Sequence, residues 1–191
     1  LKYNAGNIFS VVHAFNRLGI SPVLTDSPDE IKSADRVVFP GQGEASTTMG
    51  YLREHHLDNL IKDLKQPVLG ICIGLQLMCR YSEEGETDCL GIFDAEVKKF
   101  RPEKHEDKVP QIGWNTIHDT HSDLFKGFEH PEYAYFVHSF YIPLNPFTIA
   151  TTDYCLSYSS AMHRDNFYAT QFHPETSGKV GERILRNFLN I

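Results

Sequence analysis

The residues best suited to covalent chemistry lie in Gly70-Ile71-Cys72-Ile73-Gly74, between a short run of β-type residues and a helix-like pattern. The segment has the glycine–x–nucleophile–x–glycine form of a nucleophile elbow, with cysteine as the nucleophile. A strand that turns into a helix within about one residue strains the nucleophile, and flanking Cβ atoms would clash there. The turn would place the sulfur at a helix N-terminus, which favours thiolate, and aim the N–H of Ile73 at a developing oxyanion. Because a free cysteine is also a common core residue, the segment alone does not decide between nucleophile and packing residue.

A base and an acid for such a thiolate occur near the C-terminus, in Phe172-His173-Pro174-Glu175. His173 and Glu175 are two residues apart after a strand-like run, and Pro174 fixes the turn, so both side chains can point the same way. Glu175 would then orient the imidazole of His173, as in a cysteine–histidine–acid triad. The same residues also suit an ordinary loop, so alone they indicate this chemistry only weakly.

A glycine-rich loop, Pro40-Gly41-Gln42-Gly43-Glu44, follows another apolar run. It has neither the spacing of a dinucleotide fingerprint nor the lysine of a phosphate-binding loop. A peptide between two glycines can turn its N–H toward a substrate oxygen, which an oxyanion site requires. Taken alone, an ordinary tight turn between strand and helix is the preferred interpretation.

Composition and charge exclude several other functions. The 191 residues are 41% hydrophobic and 23% charged, which is ordinary for one soluble domain. The formal net charge of −7 argues against nucleic acid or an anionic membrane as the main partner. No apolar run approaches the roughly 20 residues of a spanning helix, and the start of the chain lacks the apolar region of a signal peptide. A cytoplasmic protein is therefore expected.

The remaining cysteines and histidines form no disulfide or metal pattern. The cysteines at positions 72, 79, 89 and 155 include no C-x-x-C pair and are interpreted as reduced thiols. Cys79, at helical spacing from a leucine, is predicted to be a packing residue. The histidines at 55, 56, 118 and 121 lack a completed ligand set and are expected at the surface. Neither a metal nor a cofactor is predicted.

The elements that must position the chemical residues alternate between helix and strand in the first half of the chain. Apolar spacing predicts helices over 8–18 and 57–64, and brief apolar runs predict strands at 22–24, 37–39 and 68–71. Beyond about residue 90, strands are predicted at 92–97, 109–117, 133–141, 148–152, 156–162 and 167–172, before a final helix over 178–191. This order predicts a three-layer α/β domain over 1–191, with a mostly parallel central sheet, helices on both faces and a strand-rich second half.

The start of the chain departs from that scheme. A helix begins almost at once, near Gly6, whereas an α/β domain of this kind normally opens with a strand. Only Leu1, Lys2 and Tyr3 are available for it. We therefore expect the first strand to be truncated in this chain.

Together, the elbow cysteine, the upstream glycine-rich loop and the late His-Pro-Glu resemble the class I (triad) glutamine amidotransferases. Their order and spacing make the joint match specific, and the resemblance covers essentially the whole chain. It implies the three-layer, flavodoxin-like fold of that family. Within the family, three segments resemble the glutaminase subunits of imidazole glycerol phosphate synthase, the histidine-pathway enzyme: residues 4–8, 110–115 and 135–141.

The resemblance implies a role for each matching residue. Cys72 would attack the carboxamide of glutamine and form a thioester with release of ammonia, His173 would shuttle protons, and Glu175 would orient His173. The residues implied at the oxyanion hole, through backbone N–H groups, are Gly41, Gln42, Gly43 and Ile73. Those implied to hold the amino-acid end of glutamine are Gln76, Glu84, Ser139 and Phe140. A cationic α-amino group near Glu84 makes electrostatic sense.

The resemblance also implies a partner. Ammonia would pass to a (β/α)₈-barrel cyclase subunit that acts on a phosphoribulosyl formimino nucleotide (PRFAR), so that the two chains form a heterodimer with lyase activity. The residues matching interface positions are Asn7, Trp114 and Tyr135. Exposed aromatic residues are good interface anchors in general, although core packing would equally explain Trp114 and Tyr135.

Two residues depart from the family pattern, and several alternatives stay open. Gln42 stands where a small apolar residue is usual, and Thr176 stands where a lysine often pairs with the cyclase. One alternative is a glutaminase of another class I pathway, and a second is a stand-alone γ-glutamyl hydrolase. A third is a catalytically inactive binding protein, against which the intact set of Cys72, His173 and Glu175 argues.

Overall fold

The structure is a computed structural model that describes residues 1–3, 8–41, 43–103 and 108–191. The helices are α1 (Ile8–Arg17), α2 (Pro28–Ser33), α3 (Ala45–Glu54), α4 (Leu57–Asp63), α5 (Ile73–Met78) and α6 (Gly178–Leu189). The strands are β1 (Val37–Phe39), β2 (Val68–Ile71), β3 (Cys79–Ser82), β4 (Thr87–Asp88), β5 (Phe93–Lys99), β6 (Gln111–Ile117), β7 (Glu132–His138), β8 (Phe140–Tyr141), β9 (Thr148–Tyr154), β10 (Leu156–Arg164) and β11 (Phe167–Thr170). Single 3₁₀ turns occur at Glu84–Glu86, Asp123–Phe125 and Pro174–Thr176.

The central sheet has the strand order β1-β2-β11-β10-β9. β2 pairs in parallel with β1 on one side and with β11 on the other, whereas β10 is antiparallel to both of its neighbours. Within the described residues, four of the five strands therefore run in the same direction and β10 is reversed. A second sheet has the order β4-β3-β5-β8, and β6 pairs with β7 as a separate antiparallel ribbon. The predicted α/β fold with a strand-rich second half is confirmed.

Helices cover both faces of the central sheet. Successive side chains of a strand point to opposite faces, so neighbouring residues of one strand pack into different hydrophobic clusters. Val68 of β2 belongs to one hydrophobic cluster, whereas Leu69 and Ile71 belong to the other. The first cluster includes buried residues of α3, α4 and α5, namely Leu52, Ile61 and Leu75. The second includes buried residues of α1 and α6, namely Val11, Phe15, Ile184 and Phe188. This arrangement is the predicted three-layer packing.

Helix α6 holds the C-terminal end of the chain against the turn that follows β11. Its buried stripe consists of Gly181, Ile184, Leu185 and Phe188, and each large side chain contributes about 1.5–3 kcal/mol by burial. A Cβ on Gly181 would lie 1.8 Å from the carbonyl oxygen of Pro174, so only glycine allows this approach. The helix thereby fixes the turn that carries the predicted histidine and acid.

The strand predicted at residues 22–24 is wrong. Residues 21–27 have no regular secondary structure, and the side chain of Val23 is 71% exposed. Pro22 has no N–H to donate to a ladder, which disfavours a strand at this point. The apolar run thus lies at the surface and adds no strand to the sheet.

Residues 1–3 also form no assigned strand. The backbone nitrogen of Leu1 donates to the carbonyl of Val38 in β1 at 2.8 Å, and that of Lys2 donates to Thr25 at 2.6 Å. The segment thus lies beside β1, but two bonds to different partners do not make a ladder.

Candidate active site

Cys72 occupies the sharp turn between β2 and α5 that the elbow pattern predicted. Its backbone has φ 54° and ψ −107°, which a non-glycine residue adopts only under strain. A Cβ on Gly74 would lie 2.2 Å from the carbonyl oxygen of Phe39, and one on Gly70 would lie 3.0 Å from the backbone of Gly74. Close backbone packing therefore requires glycine at position 74 and leaves little room for a side chain at position 70, and the turn presents Cys72 at the first turn of α5.

His173 and Glu175 form the predicted pair at the end of β11. The Nδ1 atom of His173 lies 2.7 Å from Oε1 of Glu175, and both side chains are buried. Burial alone would lower the pKa of His173, but the hydrogen bond and charge of Cys72, followed by those of Glu175, outweigh it and raise this pKa to about 10. The structure thus brings Cys72, His173 and Glu175 together, with the carboxylate of Glu175 hydrogen-bonded to the imidazole of His173.

The turn carrying the pair is attached to β7 through backbone groups. The N–H of His173 donates to the carbonyl of Tyr135 at 2.9 Å. The hydroxyl of Ser177 donates to the carbonyl of His173 at 2.6 Å and accepts from the N–H of Tyr135 at 3.0 Å. The β6–β7 ribbon therefore fixes the position of His173 directly.

The glycine-rich loop lies over the start of α5. A Cβ on Gly41 would lie 1.8 Å from Cγ2 of Ile73 and 2.5 Å from the Tyr3 hydroxyl, so the loop packs tightly against the elbow. The Tyr3 hydroxyl donates to the carbonyl of Pro40, and burial followed by the charge of Cys72 raises the pKa of Tyr3. Tyr3 was not predicted from the sequence. Of the other predicted oxyanion residues, Gly43 is exposed and Gln42 lies outside the described residues.

Gln76 is buried one turn into α5 and meets a residue that the sequence patterns did not single out, Gln171. The Nε2 atom of Gln76 donates to Oε1 of Gln171 at 2.9 Å and to the carbonyl of Phe140 at 3.4 Å. The Nε2 atom of Gln171 in turn lies 3.7 Å from Sγ of Cys72. Two side-chain amides thus connect the sulfur with the predicted amino-acid subsite.

The other predicted substrate residues already have intramolecular partners. Glu84 accepts from the N–H of Ala45 at 2.9 Å, and burial raises the pKa of its carboxyl despite that bond. The carbonyl of Ser139 accepts from the N–H of Phe100 at 3.0 Å. Ser139 and Phe140 are both partly exposed.

The predicted interface aromatics lie side by side on the β6–β7 ribbon. Trp114 pairs with Tyr135 across the two strands, and their ring centroids are 5.9 Å apart. Trp114 is 57% exposed, so core packing does not explain it. Ile112 pairs with Val137 on the same face, and both are exposed. We call these four residues the ribbon face; the third predicted interface residue, Asn7, lies outside the described residues.

The histidines away from this site form no metal centre within the part of the chain that the structure describes. His118 instead contacts Asp119 at 2.9 Å and Asp153 at 3.1 Å near the surface. Cys79 is fully buried, as predicted, and burial raises the pKa of its thiol. Among the described residues, no helix is long and apolar enough to cross a membrane.

Comparison with known proteins gives a consistent result. The sequence model of the family described as Glutamine amidotransferase class-I matches residues 2–191. The chain is 63% identical over 191 residues to imidazole glycerol phosphate synthase subunit HisH of Bacteroides thetaiotaomicron, covering 100% of this chain and 97% of that one. It is 42% identical over 193 residues to the protein of the same name from Escherichia coli K12, covering 100% and 97%.

Solved structures show the same fold. A structure from Thermoplasma acidophilum, described as a GMP synthase component, superimposes with a TM-score of 0.74 at 23% identity, covering 98% of this chain and 89% of that one. A structure described as glutamine amidotransferase gives a TM-score of 0.75 at 17% identity, covering 97% and 94%. These similarities extend to the fold alone.

Proposed function

The chain belongs to the class I glutamine amidotransferases, and on that basis we propose that it is the glutaminase subunit of an imidazole glycerol phosphate synthase. Relatives that bear this subunit name cover its whole length at identities up to 63%. The observation that carries the proposal is the buried His173–Glu175 pair beside the strained Cys72. Such a constellation suits attack on an amide carbonyl and protonation of its leaving amine.

The proposed reaction starts from the thiolate of Cys72 and the imidazolium of His173. The sulfur attacks the side-chain carbonyl carbon of glutamine, and backbone N–H groups of Ile73 and of the 41–43 loop stabilise the oxyanion. His173 gives its proton to the departing nitrogen, so that ammonia leaves and a thioester remains. Water then attacks the thioester while His173 takes its proton, and release of glutamate restores the thiolate.

The proposed partner is a (β/α)₈-barrel cyclase that receives the ammonia in a cytoplasmic heterodimer. The ribbon face supports this assignment, because Ile112, Trp114 and Val137 are exposed on two paired strands and Tyr135 is half-buried beside them. Aromatic residues presented in this way commonly anchor interfaces. The same ribbon is hydrogen-bonded to His173, so a partner on this face would lie next to the catalytic histidine. Ammonia would then have a short path from thioester to cyclase.

The decisive experiment separates glutamine-dependent from ammonia-dependent synthesis by the complex with its cyclase. Cys72→Ala should abolish glutamine-dependent formation of imidazole glycerol phosphate from PRFAR, because no thioester can form. It should leave turnover with ammonium salts intact, since the cyclase active site is unchanged. Loss of the ammonia-dependent reaction in a properly assembled complex would contradict this division of labour.

A further inference from the structure

We propose that Gln171 is a positioning residue that fixes which end of the Gln76 amide faces the substrate, and that it also donates a hydrogen bond to the sulfur of Cys72. This inference rests on the proposed function, because it assigns Gln76 to the amino-acid end of glutamine. Gln171 is fully buried, and its side chain lies between Gln76 and the nucleophile.

The orientation of both amides follows from one fixed acceptor. The carbonyl of Phe140 can only accept, so the Gln76 group that faces it must be the NH₂. The same NH₂ lies 2.9 Å from Gln171, which must therefore present its oxygen there. The NH₂ of Gln171 is consequently the group that faces the sulfur. No other assignment gives every contact one donor and one acceptor.

This arrangement uses both N–H groups of Gln76 within the protein. Its carbonyl oxygen is the group that stays available for a ligand, and an oxygen is what a substrate ammonium group requires. If Gln76 were free to rotate, its NH₂ would face the ammonium in part of the population and repel it. Gln171 thus holds the Gln76 amide in the one orientation in which its oxygen, a hydrogen-bond acceptor, faces the substrate.

The second contact of Gln171 concerns the charge of the nucleophile. An N–H directed at sulfur stabilises thiolate more than thiol, because hydrogen bonds to charged groups are the stronger ones. The neighbouring contact of Sγ, the carbonyl of Val137 at 3.8 Å, cannot supply such a donor. Gln171, like His173, therefore favours the charged sulfur.

Two substitutions separate the two contacts. Gln171→Glu keeps an oxygen acceptor for Gln76 but places a carboxylate beside Sγ, whereas Gln171→Leu removes both contacts. Thr152→Val is the matched control, because Thr152 is equally buried and its hydroxyl donates to the carbonyl of Thr116 at 2.8 Å. Thermal unfolding of each variant reports on structural damage.

Two thiol reagents read out the contacts on the full chain in complex with the cyclase. A glutamine-like diazo-ketone carries an amino-acid end and should label Cys72 with saturation, whereas iodoacetamide carries no such end. Labelling is assigned to Cys72 by peptide mass spectrometry, because Cys155 is exposed and will also react. The half-saturating diazo-ketone concentration measures how well the site binds the amino-acid end, and the iodoacetamide rate measures the reactivity of the Cys72 thiol.

We expect Gln171→Leu to raise the half-saturating concentration and lower the iodoacetamide rate, each about tenfold, the size of one hydrogen bond to a charged group. Gln171→Glu should keep the half-saturating diazo-ketone concentration within about twofold of the wild-type value. It should lower the iodoacetamide rate at least as much as Gln171→Leu does. Thr152→Val should change neither. If Gln171→Leu fails to fold, Gln171→Glu alone tests the inference, because it should lower the iodoacetamide rate while leaving the half-saturating diazo-ketone concentration nearly unchanged.

The inference is overturned if Gln171→Glu shifts half-saturation as much as Gln171→Leu does, or if Thr152→Val reproduces either effect. It is also overturned if the effects of Gln171→Leu and Gln76→Leu on half-saturation simply add, because a residue that acts through Gln76 must be non-additive with it. Failure of the proposed function would look different. The wild-type chain would then show no saturable labelling by the diazo-ketone and no glutamine hydrolysis. In that case Gln76 would no longer be assigned to the amino-acid end of glutamine. The iodoacetamide rate would still report on the contact between Gln171 and the sulfur of Cys72.

Discussion

The pKa of His173 depends on its contacts with Cys72 and Glu175. Because the contacts of Cys72 and Glu175 raise the pKa of His173 to about 10, the imidazole keeps its proton throughout the neutral range. In the proposed mechanism, this proton is the one that passes to ammonia as it leaves.

We predict that Cys72→Ala lowers the pKa of His173, because two causes that raise it are lost while burial still lowers it. Histidine NMR titration should show His173 losing its proton at a lower pH in the variant than in the wild type. His138 is an internal reference, because its pKa is lowered to about 4, chiefly by burial, and it should stay neutral above pH 6 in both proteins. Identical His173 titrations would contradict the coupling.

Sequence reasoning located the turn at Cys72, which requires a rare local pattern. Cys72 was predictable because a sharp strand-to-helix turn needs glycine on both sides, and five consecutive residues contain the whole pattern. Gln171 was not predictable, because a glutamine before a phenylalanine has no special meaning until folding places it against Gln76. Its role comes from a contact between residues 95 positions apart.

Among the helices, α3 has an unusually well satisfied N-terminus. Glu44 accepts from the N–H groups of Ser46 at 3.2 Å and Thr47 at 2.9 Å, and Glu84 accepts from that of Ala45. The bond from the Thr47 N–H, followed by that from the Ser46 hydroxyl, lowers the pKa of Glu44 to about 2. The cap therefore anchors the segment that follows the glycine-rich loop, and with it the far end of that loop.

We predict that Glu44→Ala lowers the free energy of unfolding by about 1 kcal/mol at pH 7, the usual value of a lost N-cap. Glu44→Gln is the matched variant, because it keeps an oxygen acceptor but removes the charge. Since the pKa of Glu44 is lowered on folding, its charge stabilises the fold above pH 4.5 and ceases to do so as pH falls toward 2. Urea unfolding should show the gap between wild type and Glu44→Gln narrowing over that range; a gap independent of pH would refute the carboxylate cap.

Strands and helices were predictable to the extent that their side chains alternate between core and solvent. The helix α1 and the strand β5 follow this rule and lie close to their predicted bounds. Residues 22–24 fail it, because three apolar residues in a row do not reveal whether a neighbouring strand is available to pair with them. The strand predicted over 133–141 is interrupted at Ser139, whose carbonyl bonds to Phe100 instead.

For the molecule as a whole, the ribbon face is an apolar area at the surface that we propose as the docking site of the partner. Trp114 and Tyr135 are adjacent, and Ile112 and Val137 extend the apolar area on the same face. The alternation along β6 and β7 was visible in the sequence, but the side that faces solvent was not. That choice depends on which face the rest of the fold leaves uncovered.

We predict that Trp114→Ala weakens association with the cyclase by more than about fivefold, because truncation of a central aromatic residue commonly removes over about 1 kcal/mol of binding free energy. Isothermal titration calorimetry against the purified cyclase measures the change. Leu144→Ala is the control, since Leu144 is 51% exposed outside the ribbon face and should leave the affinity unchanged. Equal losses in the two variants would remove the ribbon face as the docking surface.

The contact between Gly74 and the carbonyl of Phe39 also determines how the protein can vary. The two backbones lie so close together that no side chain fits between them. The end of β1 therefore contacts the first turn of α5 directly, and no side chain of variable size separates them. In a library of all single substitutions selected for growth without added histidine, position 74 should tolerate no replacement, while positions on the exposed face of α6 accept many. Single substitutions therefore cannot gradually change the distance between Cys72 and the end of β1.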